Sequence, residues 1–199
     1  MKGSREFIAA AIAALLAVMA MGSTALAAEP SVETDYSNAT VTFNPGILEL
    51  KTVPDFTFGA HNIPESGNGE YKAQTISGPL RVSDARGTGK GWQVTVALDS
   101  FKQDENKTLN GALITLSGGK AEAPDGNLVE TAPSVSTPVE ILSNNVEKKL
   151  VTATANTGKG TWDTEWQETG ASVKLTVPAS SHTVGAHSAV MTWNLIDAP

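Results

Sequence analysis

Trp162 and Trp166 stand four residues apart in the run GTWDTEWQE, residues 160–168. In an extended strand both fall on one face, about 13 Å apart at ~3.3 Å per residue. That spacing suits pyranose rings a few units apart on a glycan chain. Asp163, Glu165, Gln167 and Glu168 surround the pair, and carboxylates beside an indole can accept hydroxyl protons while the ring stacks on a sugar. The pair reads either as a candidate sugar platform or as two indoles capping the edge of a sheet. Two other Trp residues sit differently. In GWQVTV (91–96) and VMTWNLIDAP (190–199), Trp92 precedes Val94 and Trp193 precedes Leu195 by two places, so each Trp shares a face with its aliphatic partner. Trp92, Val94, Val96 and Leu98 form one apolar ridge, and Ala189, Met191, Trp193 and Leu195 form another. Such ridges belong in a core, unless each Trp lies at a rim with one ring face open.

Other candidate chemistry is sparse. Asp84 and Arg86, two apart before the Gly-rich run Gly87–Gly91, suit a structural charge-assisted pair. That run lacks a following helix and a Lys-Ser/Thr step, so it is no phosphate loop. The three His residues, His61, His182 and His187, belong to no H-E-x-x-H pattern, and neither a G-x-S-x-G elbow nor a Cys nucleophile exists. No two carboxylates are singled out for glycan hydrolysis. The chain is read as no enzyme, with no cofactor. Calcium ligation by Asp125 and Asn127, or by Asp104, Glu105 and Asn106, lacks the 12-residue loop pattern.

The elements that must position these residues are short strands. Pro and Gly recur throughout, and no stretch sustains a 3.6-residue period. Strands are expected at Thr40–Phe43, Ile47–Leu50, Glu70–Ile76, Leu80–Ser83, Trp92–Leu98, Ala112–Leu116, Val139–Leu142, Leu150–Thr154, Ser172–Val177 and Ala189–Ile196. Turn chemistry such as Asn44-Pro45-Gly46 and Thr157-Gly158-Lys159-Gly160 separates them. Thr137–Leu142 also allows a helical turn. About ten short strands with polar turns indicate an all-β fold, an antiparallel β-sandwich or partly closed barrel.

The first 27 residues read as a signal peptide. Lys2 and Arg5 precede an apolar run, Phe7–Met21, and Ala25-Leu26-Ala27 supplies small residues at a cleavage site. The run is short for a membrane span of about 20 residues, so no span is expected after processing. Residues 28–199 then form one domain. Of the 14 basic and 21 acidic residues, two and one respectively lie in the leader, which leaves 12 against 20 and a formal charge of −8. Such a surface repels nucleic acid and anionic lipid, and neither is expected as a partner. The chain has no Cys, hence no disulfide, no Cys-ligated metal and no lipidated anchor. An exported domain without Cys fits a bacterial exterior. No covalent attachment through a sorting signal after the last strand is expected.

Three segments in order resemble the WxL-domain proteins of Gram-positive cell surfaces. VTFNPGILELKTVPDFTFGAHNI (41–63) resembles the family's entry segment. VSDARGTGKGWQVTV (82–96) resembles its proximal motif, and MTWNLIDAP its distal one. Val94 stands where Leu is usual, His187 where Tyr is usual, and Met191 where Leu, Ile or Val is usual. The first and last keep an apolar side chain on the same face. The resemblance implies a secreted protein that attaches non-covalently to the wall by binding peptidoglycan. Trp92, Val94, Trp193 and Leu195 would be its wall-binding motif, and companion cell-surface proteins its partners. An adhesin or assembly subunit that binds surface or host proteins is the alternative, and a glycan hydrolase a third reading.

Overall fold

The structure, a computed structural model, describes residues 33–104, 107–124, 131–167 and 172–197. Two units divide the chain at residue 41. In the first, the described residues 33–41 form no regular structure and are exposed. The second is all-β and antiparallel, with no helix beyond one 3-10 turn, Ala179–Ser181, among the described residues.

Strands are numbered in chain order. The first sheet runs β1 (Leu48–Thr52), β5 (Leu80–Asp84), β14 (Gly160–Glu165), β10 (Lys120–Glu122). The second runs β11 (Ser134–Val135), β13 (Lys148–Ala153), β6 (Trp92–Leu98), β16 (Met191–Asp197). The third runs β12 (Val139–Leu142), β9 (Leu113–Leu116), β15 (Val173–Val177), β3 (Gly69–Lys72). Two ribbons complete it, β2 (Phe56–Thr57) with β4 (Thr75–Ile76), and β7 (Lys102–Asp104) with β8 (Lys107–Thr108). The sheets form a sandwich rather than a closed barrel. β1 approaches β16 and β10 approaches β11, so the edges of the first two sheets meet, while β12 approaches β6 and β13.

Period-2 alternation builds the layers. Leu80, Val82 and Asp84 of β5 are buried while Arg81 and Ser83 between them are half-buried, and β15 repeats the pattern with Val173, Leu175 and Val177. One cluster joins the apolar residues among these to Trp92, Val94, Val96 and Leu98, to Ile114 and Leu116, and to Leu150 and Val151. β6 is the central strand. It pairs with β13 on one side and with β16 on the other, and Thr95 and Ala97 on its second face are buried too. The final strand matches β6 without interruption, Met191 opposite Leu98 through Asp197 opposite Trp92. Trp193 lies beside Val96, so the two motif tryptophans occupy neighbouring strands, offset by four positions.

Three expectations are corrected. Thr40–Phe43 is unpaired, with Val41 and Phe43 exposed. Glu70–Ile76 is two strands, because the chain changes partner at its middle: Ala73 N–H donates to Val173 O at 2.9 Å and Gln74 N–H to Thr57 O at 2.7 Å. Thr137–Leu142 contains no helical turn, since Val139 and Ile141 alternate inward against β9.

Candidate functional site

The turn Thr157–Gly160 holds two indoles at once. Trp92 Nε1–H donates to Gly158 O at 2.9 Å, and Trp162 Nε1–H donates to Lys159 O at 2.9 Å. A buried Trp requires such a partner for its one polar atom. Gly158 has φ +67°, and a Cβ there would collide with Ala153 and press on Trp92. The Trp92 and Trp162 segments, 70 residues apart, are thus locked to one turn.

Trp92 and Val94 are 1% and 0% exposed, so neither ring face nor methyl meets a ligand. Val94, the departure from the usual Leu, sits between Val151 and Leu195 in the register. The proposed sugar platform does not exist as read. Trp162 and Trp166 are 4% and 5% exposed, and Trp166 packs edge-on against Phe56 at 6.4 Å. Asp163 and Glu165 stand on the other face of β14, and Glu168 lies outside the described residues. Asp163 is engaged by Arg81, whose Nε and Nη2 donate to its two oxygens at 2.6 Å each, and Glu165 lies opposite Lys120. Polarity at odd positions therefore carries no information about the even-numbered face.

Asp84 and Arg86 form the expected pair and more. Arg86 Nε donates to Asp84 Oδ1 and Nη2 to Oδ2, both at 2.8 Å, and Arg86 N–H donates to Oδ1 at 3.1 Å. Nη2 also donates to Gly91 O at 2.8 Å, and Nη1 to Asp197 at the end of β16. One guanidinium thereby ties β5, the glycine turn and the terminal strand. Gly91 has φ +82°, and a Cβ there would strike the Ala153 carbonyl, so the turn accepts only glycine at that point. The Arg86 side-chain bonds hold the Asp84 carboxyl below its usual value against the opposing effect of burial. The Asp84 bond, with Asp197 adding, raises the Arg86 guanidinium above its own.

Trp193 is the one motif tryptophan left half-exposed. It lines an open groove of about 330 Å³ with Leu50, Lys51, Thr52 and Val53. It also lines a larger cavity of about 790 Å³ between the Val53–Ile63 segment, the Thr183–Val190 loop and the inner faces of β9, β15 and β16. All three His residues border that cavity. His61 stacks on Tyr71 with ring centroids 4.5 Å apart, and the Tyr71 hydroxyl hydrogen-bonds His182 Nε2 at 3.2 Å. His187 Nε2 is 2.8 Å from Thr183 Oγ1. No spacing in the sequence marks this gathering, because two loops far apart in sequence, 58–68 and 182–190, supply it. Among the described residues no cluster of three or more His, Cys, Asp or Glu suits a metal ion. Of the cation ligands weighed above, Glu105, Asn106, Asp125 and Asn127 lie outside the described residues.

Comparison with curated proteins and with solved structures returns no match. A family model described as "WxL domain surface cell wall-binding" matches residues 27–199. That span contains the Asp84–Arg86 clamp, both Trp-bearing strands and the turn that anchors them, and the chain belongs to the WxL-domain family of surface cell wall-binding proteins.

Proposed function

We propose that the chain is secreted, loses residues 1–27, and attaches non-covalently to the wall of a Gram-positive bacterium by binding peptidoglycan through residues 28–199. The observation that carries the site is the inequality among its tryptophans. Trp92, Trp162 and Trp166 are sealed in the core, while Trp193 keeps part of its ring open in the groove beside Leu50–Val53. An indole face stacks on the apolar face of a pyranose, and Thr52 and Lys51 at the groove supply a hydroxyl and an ammonium for the sugar's polar edge. Leu195 supports the strand rather than touching glycan, and Trp92 with Val94 holds the sheet that carries Trp193. The same reading makes the protein a binder and not an enzyme, with companion surface proteins as neighbours on the wall.

The test is sedimentation with purified, protein-free peptidoglycan. Native chain pellets with the sacculi, and Trp193→Ala stays in the supernatant with its fold intact by near-ultraviolet dichroism. Retention of native chain in the supernatant overturns the reading and favours a protein-only binder.

A further inference from the structure

The large cavity opens into the core. Leu98, Phe101, Leu109, Ile114, Leu175 and Val177 line it, and none is more than 8% exposed. Protein interiors are close-packed, with few voids wider than a water molecule. A space of about 790 Å³ bounded by core side chains has instead the size of a small-molecule site, about 300–1,000 Å³. The strands β6, β9 and β15 give it only apolar side chains. Its polar ones are three imidazoles, Tyr71, Thr183 and Ser188, with Asp55 and Thr57.

The donors among these groups are already paired. A carbonyl only accepts, so His61 Nε2–H donates to Phe58 O at 2.5 Å, His187 Nδ1–H to Gly185 O at 3.1 Å and His182 Nδ1–H to Ala179 O at 3.4 Å. In the neutral rings the other nitrogen accepts. The Tyr71 hydroxyl donates to His182 Nε2 at 3.2 Å, and the Thr183 hydroxyl to His187 Nε2 at 2.8 Å. Nearby backbone is engaged too: Ser188 exchanges bonds with Lys102 at 2.8 and 3.0 Å, and Thr57 O accepts from Gln74 N–H at 2.7 Å. A polypeptide entering here would bring an N–H and a C=O per residue and find these partners taken. A polymethylene chain brings neither. Charge restricts the head that such a chain carries. No Lys or Arg is among the described residues that line the cavity, and Asp55 is the one carboxylate. With −7 on the whole chain, an anionic head meets repulsion and no cation to receive it. A lone exposed carboxylate gives a cationic head little. The Tyr71 and Thr183 oxygens, donors in the bonds above, keep acceptor lone pairs, which suit an uncharged head that carries hydroxyls.

We propose that this cavity is a second binding site, for the unbranched alkyl chain of a single-chain amphiphile whose uncharged, hydroxyl-bearing head rests against Tyr71 and Thr183. The alkyl chain lies against Leu98, Ile114, Leu175 and Val177. Val53 and Trp193 line both this cavity and the groove assigned to glycan, so the two ligands occupy adjoining surfaces. The amphiphile site does not depend on the glycan one, and a titration without peptidoglycan tests it alone.

The probe is monolauroylglycerol, titrated calorimetrically into the full chain below the concentration at which it forms micelles. One molecule is expected per chain, with affinity falling about tenfold for every two methylenes removed from the alkyl chain. Laurate and dodecyltrimethylammonium, of the same length with charged heads, should bind at least tenfold more weakly, and glycerol alone should give no heat. Ala186→Trp, at an exposed position on the cavity border, should keep the native melt and lose at least tenfold in affinity. Ala189→Phe fills the same space from a half-buried position and should do likewise. No heat with monolauroylglycerol, uptake only as micelles, or native affinity in either folded variant overturns the proposal. So does a charged amphiphile that binds as tightly. A capped apolar pentapeptide that binds where monolauroylglycerol does not would make a polypeptide the occupant and overturn it equally.

Discussion

Arg86→Met tests the clamp that ties β5, the glycine turn and β16. The substitution keeps an unbranched apolar stem and removes the guanidinium. Asp84 then keeps a side chain only 2% exposed, with the Arg86 N–H at 3.1 Å as its remaining donor from this residue. Removing one partner of a buried ion pair costs about 3–5 kcal/mol. The arm to Asp197, whose carboxylate is 62% exposed, adds at most about 1 kcal/mol. Because one backbone donor survives, the low end, about 3 kcal/mol, is expected. The β unit, residues 42–199, has an unfolding entropy of about 0.33 kcal/mol/K at ~2.1 cal/mol/K per residue. The midpoint therefore falls by about 9 °C in a calorimetric or dichroism melt. The dependence on pH has a definite sign. In the native chain the Asp84 carboxyl is held below its usual value, so its stabilisation is complete above the unfolded value of about 3.9. It is lost only as pH falls through the lower folded value. Without the guanidinium, burial dominates and raises the folded value, so the deficit is largest at neutral pH and shrinks as the carboxyl protonates. Asp84→Leu/Arg86→Met, which removes both charges, should recover much of the loss. A deficit under 1 kcal/mol, or one equally large at pH 7 and pH 5, refutes the reasoning.

Deleting Met191–Pro199 should abolish the cooperative melt and the near-ultraviolet dichroism, since β16 matches β6 at seven consecutive positions and closes one side of the cavity. Trp92→Ala, Trp162→Ala and Trp166→Ala should each destabilise by about 3–5 kcal/mol in denaturant titrations, the range for a buried Trp. Trp193→Ala should cost visibly less than any of them while losing peptidoglycan; equal costs for all four would remove the distinction. Wall association should strengthen from pH 7 to pH 5 and with added salt at pH 7, as protonation and screening reduce the repulsion of an acidic chain, −7 in full and −8 under the proposed removal of residues 1–27. Binding to whole walls that is flat or weaker at pH 5, with the fold intact, would point instead to ionised carboxylates as direct ligands.

Why some of this was legible before the structure, and some not, follows from what a strand exposes to inspection. The Trp92–Leu98 ridge and the Met191–Leu195 ridge announce a core because every second residue is large and apolar. That inference needs no knowledge of the partner strands, and their direct pairing followed only from the register. Asp84 and Arg86 are likewise readable as opposite charges two apart, although Arg86 lies past the end of β5 and folds back onto Asp84; the third arm to Asp197, 111 residues on, is not. Trp162 and Trp166 were misread for a reason that a stricter use of the same rule removes. Their acidic neighbours were averaged with them, although Asp163 and Glu165 point away and only Thr164 shares their face. The even positions alone, Trp162, Thr164 and Trp166, read as core. The cavity with its three histidines has no such remedy, because residues 61, 182 and 187 come to one cavity only after the sheets have fixed the ends of two loops distant in sequence. Residues 40–43 are the complementary case. Local pattern asks for a strand, and the alternation of Val41 and Phe43 is as regular as that of β5. Alternation states which side chains a strand would bury and not whether a partner strand exists, so the pattern alone overstated this segment.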